Sequence, residues 1–434
     1  MNGLGGISFE ALSQKVNSYY GCCSASVKLA GVPTDFGDYI SQLALKIWNS
    51  KQTITTDPVL VQTYGNRLQE ALKKGLGINV DFTVRDNELH LKLQQNVWQF
   101  SAAKSYTQLK DMSAALLKPD GTLRSFDEFR MQVSTITKQQ LTWLKTEYDL
   151  AVSGGQMAAK WDQIQKQKDL FPYLQLEAVE DSHTTALCKK LDGTVRHVDD
   201  PFWQLYYPPN HYNCRSTVRQ LKSGKNTTDD EITYPEIPEM FKVNLGQRGL
   251  AFPEDHAYFI DMPKEVMDKS REFFPYNLQF DILHEDLGTV RKHFLVTGYE
   301  SDYNRIENIA VDKAKQGSTV DIMPTLDPTT YSSYTRDIIF KGGKAGKSPD
   351  LRIDGELVEY ETVYKTTVRA LKGAIESGAA QADFIIVSMA SRYDDKVISG
   401  IIRQKVKDYP NLRYLEFRYK DQIIMVYKKS DPTK

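Results

Sequence analysis

The chain has 434 residues, of which 26% are charged and 41% are hydrophobic, and its formal net charge is −1. This is ordinary globular usage, so disorder along the whole chain is excluded. At roughly 100–200 residues per domain, the length predicts two to four domains. The near balance of 55 basic and 56 acidic residues excludes a protein that coats nucleic acid with its whole surface, so any such contact must be local.

The apolar pattern predicts no membrane span, because no run of about 18 apolar residues occurs. The first 20 residues lack the basic segment and the apolar run of a secretory signal. We therefore expect a protein that is made and used in a cytoplasm. The cysteines do not follow the pattern of a disulfide framework. They are an adjacent pair and two distant single residues, Cys22, Cys23, Cys188 and Cys214.

The first part of the chain, up to residue 175, is predicted to be mostly helical, since apolar side chains recur at helical spacing. The predicted helices cover residues 35–46, 59–72 and 89–117, and a long helix follows Ser125. Ser125 is a predicted N-cap because acidic residues occupy the turn after it. Within the long helix, the pair Gly154-Gly155 predicts a kink or a break.

Turn-forming residues replace this periodicity further along the chain. Residues 174–221 are predicted to form a small turn-rich module, and residues 222–290 a linker and wrapping segment. The last part predicts a compact α/β domain. Its predicted helices are 300–316, 366–377 and 394–408, and its predicted strands are 319–323, 337–340, 351–353, 357–361, 384–389, 412–419 and 422–427. Asp354-Gly355 is predicted to close a two-residue hairpin.

The turn-rich module carries three side chains that could bind one metal ion, Cys188, His211 and Cys214. Thiolate and imidazole suit tetrahedral Zn²⁺, and the spacing His211-x-x-Cys214 lets one tight turn present both side chains. His183 or Asp181 could supply a fourth ligand. The alternative is that both cysteines are small buried apolar residues and the histidines lie at the surface. Nothing in the sequence marks Cys214 as an activated nucleophile.

The same segment resembles the phage Mu F-like family of head-morphogenesis proteins, which are minor head proteins near the portal. The matching motifs are Asp181, Cys188 before LDG (191–193), DDPFW (199–203), PP (208–209) and NCR (213–215). Flanking segments extend the resemblance to residues 33–260; they are 96–116, 142–161, 168–175 and 249–259.

This resemblance implies a role in phage head assembly. Portal and capsid or scaffold proteins would be its partners, and the protein would be located in the host cytoplasm during assembly and then in the virion. Ser216 departs from the family pattern, because many relatives have a second cysteine after the NCR motif. The departure weakens the expectation of zinc and leaves the family resemblance unchanged.

Acidic residues in the C-terminal domain follow the pattern of PD-(D/E)xK nucleases. Asp350 stands at the start of a predicted strand, and Glu359 and Glu361 share one face of the next strand. Two carboxylates could hold Mg²⁺ or Mn²⁺ while a lysine orients the water that attacks a phosphate. Glu307 on the first predicted helix could add a further carboxylate, and the predicted strand order agrees with that fold.

Residues 300–430 also resemble the C-terminal tRNA nuclease domain of contact-dependent growth-inhibition toxins. The resemblance rests on Glu307, PDLRIDGELVEYE (349–361) and QADFIIV (381–387), and it implies a tRNA endonuclease with an immunity protein as partner. Glu361 stands where that family has a lysine, and Lys365 or Lys347 could substitute. The domain is then an active metal-dependent RNase or DNase, a nuclease fold kept only for binding, or a solvated acidic hairpin.

Three lysines, Lys341, Lys344 and Lys347, lie among glycines just before Asp350. We expect this basic segment to bind phosphate groups beside the carboxylates, although such charge runs are often only solvated. The segment lacks the spacing and the following helix of a Walker A loop.

The sequence therefore predicts a multi-domain α+β protein. It would combine a mostly helical head-protein region, a turn-rich module and a C-terminal α/β domain of PD-(D/E)xK nuclease-like type. The predicted divisions are a tail (1–32), a head-morphogenesis domain (33–225), a linker (226–295) and the nuclease-like domain (296–434). The function is either a minor head protein that carries a nuclease, or a purely structural virion protein whose C-terminal domain only binds nucleic acid or portal.

Overall fold

The structure is a computed structural model that describes residues 36–77, 88–326, 336 and 339–429. The predicted tail at 1–32, with its two cysteines, lies outside these residues. The chain divides between Phe274 and Pro275 into two compact units. The first is mainly helical and the second contains a large sheet, so the protein is of mixed α and β type. Among the described helices, none is both long and apolar enough to cross a membrane.

Long helices with buried apolar faces form most of the first unit. They are α1 (Phe36–Ser50), α2 (Pro58–Leu76), α3 (Glu88–Ala114) and α4 (Phe126–Gln167). Asp57 caps the start of α2, and Gly77 ends it in the left-handed conformation (φ 76°). Ser125 and Glu128 exchange hydrogen bonds at the start of α4, which confirms the predicted N-cap.

The pair Gly154-Gly155 does not break α4, so the predicted break is wrong. The two glycines instead allow neighbouring segments to approach the helix closely. A Cβ atom at Gly154 would lie 2.9 Å from the carbonyl oxygen of Ala251, and one at Gly155 would lie 3.1 Å from that of Leu72. A glycine costs a helix interior only about 1 kcal/mol relative to alanine, and the close packing at these positions offsets that loss.

A small antiparallel sheet and two short helices follow α4. The strands are β1 (Tyr173–Glu177), β2 (Val195–His197) and β3 (Thr217–Leu221), and the helices are α5 (Ala186–Leu191) and α6 (Phe202–Tyr206). Strand β1 lies between β2 and β3. Trp203 and Tyr207 are buried with Trp161 of α4, and the rings of Trp161 and Tyr207 meet edge to face at 4.8 Å. The module thus shares its core with α4.

The stretch 226–295, which the sequence suggests is a linker, is divided between the two units. Its first part forms α7 (Leu245–Arg248), α8 (Ala257–Asp261) and α9 (Lys264–Ser270). Phe252 stacks on Phe100 of α3 with ring centroids 3.8 Å apart, and the Asn96 side chain accepts the backbone N–H groups of Ala251 and Phe252. This part packs on α3, whereas the part after Pro275 supplies two strands to the second unit.

The second unit contains a mixed sheet of eight strands within the described residues. They are β4 (Phe280–Glu285), β5 (Thr289–His293), β6 (Thr319–Ile322), β7 (Leu351–Ile353), β8 (Glu356–Val363), β9 (Phe384–Met389), β10 (Tyr414–Tyr419) and β11 (Gln422–Lys428). The strands lie in numerical order across the sheet. The pairs β5–β6, β8–β9 and β9–β10 are parallel, and the other neighbours are antiparallel.

The strand predicted at 337–340 is wrong for the two of its residues that the structure describes. Ile339 is helical there, and Phe340 donates to the Arg336 carbonyl in a helical turn (2.8 Å), whereas residues 337–338 lie outside the description.

Helices cover both faces of this sheet. They are α10 (Tyr303–Lys315), α11 (Val368–Gln381) and α12 (Asp395–Asp408). Helix α10 packs on the face that carries Val358 and Tyr360 of β8, and α11 and α12 pack on the face that carries Val363. Because side chains alternate along a strand, Glu359 and Glu361 lie on the α11 side of the sheet.

Candidate metal and carboxylate sites

Cys188, His211 and Cys214, here called the thiol–imidazole cluster, lie together in the turn-rich module. Cys188 lies in the first turn of α5, where the Thr185 hydroxyl caps the helix by accepting the Cys188 N–H. His211 and Cys214 lie in the turn between α6 and β3, in which Asn213 adopts a positive φ of 60°. The cluster therefore joins a helix start to a tight turn 23 residues away in sequence.

The ligand atoms of this cluster all lie within 4.8 Å of one another. The Cys188 Sγ is 3.1 Å from His211 Nε2 and 4.0 Å from Cys214 Sγ. Both cysteines are free thiols with side chains that are almost fully buried. Across residues 36–77, 88–326, 336 and 339–429, this is the only group of three or more cysteine, histidine or acidic side chains at such distances.

Hydrogen bonds orient the side chains of this cluster toward one another. The Nδ1–H of His211 donates to the Tyr212 carbonyl at 2.6 Å, so Nε2 is the nitrogen turned toward Cys188. A hydrogen bond from Cys214, together with one that the protonated His211 ring donates from Nε2, lowers the pKa of the Cys188 thiol. The same hydrogen bond between the two cysteines, together with burial, raises the pKa of Cys214.

The two predicted fourth ligands do not join this cluster. Asp181 accepts two hydrogen bonds of 2.6 Å from the Arg215 guanidinium, which holds the pKa of this carboxyl well below its usual range. His183 is exposed, and its ring lies against Ser182. Two hydroxyl groups that the sequence did not suggest as ligands lie near the cluster instead. The Thr185 hydroxyl is 3.2 Å from His211 Nε2, and the Ser216 hydroxyl is buried without a hydrogen-bond partner.

The second unit brings Asp350 and Glu359, here called the carboxylate pair, to neighbouring strands. Asp350 precedes β7 and accepts the backbone N–H of Tyr360 at 3.1 Å, and Glu359 is only 7% exposed. Burial, and then the neighbouring Asp350 charge, raise the pKa of Glu359 to about 9. Burial also raises the pKa of Asp350 to about 6. One proton is therefore retained near neutral pH unless a cation replaces it.

Two further acidic residues were predicted beside this pair, and the structure places them differently. Glu361 shares the face of Glu359 and is half-buried, and burial raises its pKa although a Ser377 hydrogen bond opposes the shift. Glu307 lies on α10, which packs on the opposite face, and it accepts a hydrogen bond from Tyr303 of its own helix at 3.3 Å. Asp302, at the start of α10, was not predicted, but its charge raises the pKa of both Asp350 and Glu361.

The predicted phosphate-binding lysines have unequal surroundings. Lys344 is held by an ion pair with Asp383 (2.9 Å) and by hydrogen bonds to carbonyl groups at the end of α11. Lys341 and Lys347 are exposed, and the Lys347 charge lowers the pKa of Glu359. Lys347 is thus the lysine of this segment that acts electrostatically on the carboxylate pair.

Lys365, one of the two lysines suggested to replace the motif lysine, lies before the helix that follows β8. Helix α11 begins only at Val368 because Thr367 caps it, accepting the N–H of Ala370 at 3.2 Å. Lys365 precedes the cap and is exposed. Its carbonyl group accepts the Tyr393 hydroxyl at 2.7 Å, which fixes the backbone there while the side chain extends into solvent.

A buried ion pair in the first unit was missed entirely. Lys104 of α3 and Glu147 of α4 lie 3.0 Å apart, and both side chains are fully buried. Gln140 accepts a second hydrogen bond from Lys104 at 2.9 Å, and the rings of Tyr64 and Tyr258 lie within 5.4 Å of the ammonium group. Burial lowers the pKa of Lys104, and the Glu147 charge opposes this shift.

Comparison with known proteins finds similarity in the segment that contains both the ion pair and the thiol–imidazole cluster. Residues 87–219 match the family described as Phage Mu protein F like protein. These residues are similar to that family, and we call them the Mu F-like domain. Protein F of Escherichia phage Mu, which carries the name of a capsid assembly protein, is 38% identical over 82 residues, 19% of this chain and 19% of that protein. The Mu-like prophage FluMu F protein of Haemophilus influenzae is 42% identical over 64 residues, 15% of this chain and 16% of that protein.

The matched parts are less than a fifth of the length of either curated relative. No solved structure matches the chain at a significant level. The Mu F-like domain covers the helices α3 to α6, the strands β1 and β2 and most of β3, so the second unit lies entirely outside it.

Proposed function

We propose that this chain is a minor head protein that acts in the assembly of a phage head. The proposal rests on the match of residues 87–219 to the Mu F-like family. It is supported by the similar phage Mu protein, which is named as a capsid assembly protein. The partners are the portal and the capsid or scaffold proteins. The protein is located in the host cytoplasm during assembly and then in the virion.

Sedimentation of assembling heads tests this role. The full chain is co-expressed with the portal and capsid proteins of the same phage, and proheads are separated from free protein on a gradient. We expect the chain to sediment with the proheads in a fixed ratio to the portal, and to leave them when the portal is omitted. A chain that stays with the free protein when intact proheads form would rule the role out.

We propose as a second function that the C-terminal unit is a metal-dependent nuclease. The carboxylate pair supports it, because a buried Glu359 beside a partly buried Asp350, both with raised pKa values, is a group that Mg²⁺ or Mn²⁺ can convert into a cation site. The sequence of helix α10, antiparallel strands β6, β7 and β8, helix α11 and parallel strand β9 is also the order expected for a PD-(D/E)xK fold. Lys347 would then supply the positive charge for the missing motif lysine, since its charge already acts on Glu359.

A cleavage assay with the full chain tests the second function. Total tRNA, single-stranded RNA and duplex DNA are incubated with Mg²⁺ or Mn²⁺, and with a chelator. We expect cation-dependent cleavage that an Asp350→Asn variant lowers at least about 100-fold, because a ligand of the cation is lost. Glu356→Gln is the matched control, since Glu356 lies on β8, the strand of Glu359, but is exposed and pairs with Arg413.

The same assay decides whether the C-terminal unit is an active nuclease or an inactive one, although Glu361 stands where the motif has a lysine. Cleavage that depends on Lys347 and not on Lys365 would support the assignment above, and an immunity protein would then be needed to protect the host. A folded chain that cleaves none of the substrates would contradict the nuclease proposal. The C-terminal unit would then serve a purely structural virion protein, as a module that binds nucleic acid or portal.

A further inference from the structure

We infer that the thiol–imidazole cluster is a zinc site, with Cys188, His211 and Cys214 as its protein ligands. The inference is independent of both proposed functions, because it rests on the geometry of these side chains alone. Two sulfur atoms and one imidazole nitrogen are the donor set that Zn²⁺ prefers over Mg²⁺, Mn²⁺ or Ca²⁺.

The distances between donor atoms suit one tetrahedral ion. Zn–S bonds of about 2.3 Å and Zn–N bonds of about 2.0 Å at tetrahedral angles place the donors roughly 3.5–3.8 Å apart. The Cys188 Sγ lies 4.0 Å from Cys214 Sγ and 3.1 Å from His211 Nε2. These two distances each need a shift of less than about half an ångström to reach tetrahedral values. The donor atoms of the third pair, Cys214 and His211, lie within 4.8 Å of one another, so these two side chains have to draw together around an ion.

The surroundings of His211 are those of a metal ligand. Its Nδ1–H is committed to the Tyr212 carbonyl at 2.6 Å, so Nε2 is the nitrogen that faces the Cys188 sulfur at 3.1 Å. Once the ring is neutral, Nε2 carries the lone pair that a metal ion would accept. Such a hydrogen bond on the distal nitrogen fixes the tautomer and the ring orientation of metal-bound histidines. An ordinary surface histidine does not need this arrangement, and here the ring is instead turned toward two buried cysteines.

The fourth position lies next to hydroxyl groups. The Thr185 hydroxyl lies 3.2 Å from His211 Nε2, and the Ser216 hydroxyl, two residues after Cys214, is buried without a hydrogen-bond partner. A hydroxyl group or a water held by it therefore completes the coordination, since the Asp181 carboxylate is occupied by Arg215. The ion would tie the start of α5 to the turn before β3, in a module that otherwise relies on the core it shares with α4.

Metal content and a cobalt spectrum of the full chain test this inference. The chain is purified without chelator, and zinc is measured by elemental analysis. We expect about one zinc per chain, since one group of three ligands is present. Replacement by Co²⁺ should give a thiolate-to-metal charge-transfer band together with the visible bands of a tetrahedral site.

Matched cysteine variants show which thiols are responsible. Cys188→Ser, Cys214→Ser and His211→Gln should lose the zinc and the cobalt band, whereas Cys22→Ser and Cys23→Ser should keep both. Ser216→Cys is the decisive variant, because a third thiolate at the fourth position should strengthen the charge-transfer band and slow the loss of the metal to a chelator. This gain of signal does not depend on a variant that fails to fold.

Other outcomes would overturn the inference. One is a wild-type chain that purifies without zinc and gives no charge-transfer band on addition of Co²⁺, although its thiols remain reactive. A second is a band that disappears with Cys22→Ser or Cys23→Ser. A third is a Cys188–Cys214 disulfide in the freshly purified, unoxidised protein, detected by mass spectrometry.

Discussion

A Lys104→Met variant is expected to lower the free energy of unfolding of the first unit by about 3–5 kcal/mol, because it leaves a buried carboxylate without its cation. Lys104 and Glu147 lie 3.0 Å apart with no exposed side-chain surface, so water cannot replace the lost partner. The Gln140 side chain also loses the shorter of its two hydrogen bonds and keeps the one from the Tyr258 hydroxyl at 3.4 Å. Few single substitutions in the Mu F-like domain would have an effect of this size.

Tryptophan fluorescence during denaturation by urea measures this loss. All five tryptophans of the chain precede residue 275, so their signal reports the first unit alone. Lys166→Met is the matched control: its partner is Asp162, and the two side chains are 72% and 46% exposed. We expect this control to change the stability by less than about 1 kcal/mol.

A double variant identifies the cause of the loss. Lys104→Met combined with Glu147→Leu removes both charges, so most of the stability should return. If the double variant were less stable than Lys104→Met alone, the loss would have to come from packing and not from the unpaired charge. A Lys104→Met variant as mild as Lys166→Met would contradict the role of the ion pair altogether.

Local sequence signals predicted much of the second unit. The strand Phe384–Met389 was predicted with the bounds that the structure shows. A short apolar run between two helical segments indicates a strand that is buried on both faces of the sheet, and this is the burial observed. Asp354 and Gly355 close the hairpin with φ values of 48° and 92°, which these residue types tolerate. Strand β4 was missed because it is the edge of the sheet. Its side chains from Asp281 to Leu283 are exposed and show no period-two pattern.

The residues of a candidate site could be predicted only where their separation along the sequence is enough to bring their side chains together. Cys214 follows His211 by three residues, so one turn brings them together, and Cys188 was proposed with them on ligand chemistry. The surroundings of the cluster depended on tertiary packing, and the sequence therefore suggested Asp181 where the structure places hydroxyl groups. Lys104 could not be predicted to be buried, since its partner lies 43 residues away on another helix.

A Glu359→Gln variant is expected to stabilise the second unit near neutral pH in the absence of divalent cations. Glutamate in an unfolded chain has a pKa of 4.5, and the folded protein raises the pKa of Glu359 to about 9. Between these pH values the folded state keeps a proton that the unfolded state has lost, so the stability of the wild type falls as the pH rises through this window. Glutamine cannot ionise, so the variant avoids this fall. The expected gain at pH 7 is on the order of 3 kcal/mol.

Hydrogen exchange of the β8 and β9 amides, measured from pH 5 to pH 9, reports the stability of this unit. The advantage of Glu359→Gln should grow with pH, and Mg²⁺ or Mn²⁺ should stabilise the wild type and not the variant, because a bound cation favours the ionised carboxylates. Glu356→Gln, on the exposed part of the same strand, should behave as the wild type.

A constant difference in stability between the variant and the wild type across the pH range would mean that Glu359 is not a proton-binding group of the folded state. An equal response of both proteins to the cation would exclude Glu359 as a ligand. The buried acid thus lowers the stability of the empty site, and this is the expected property of a residue placed there to bind a cation.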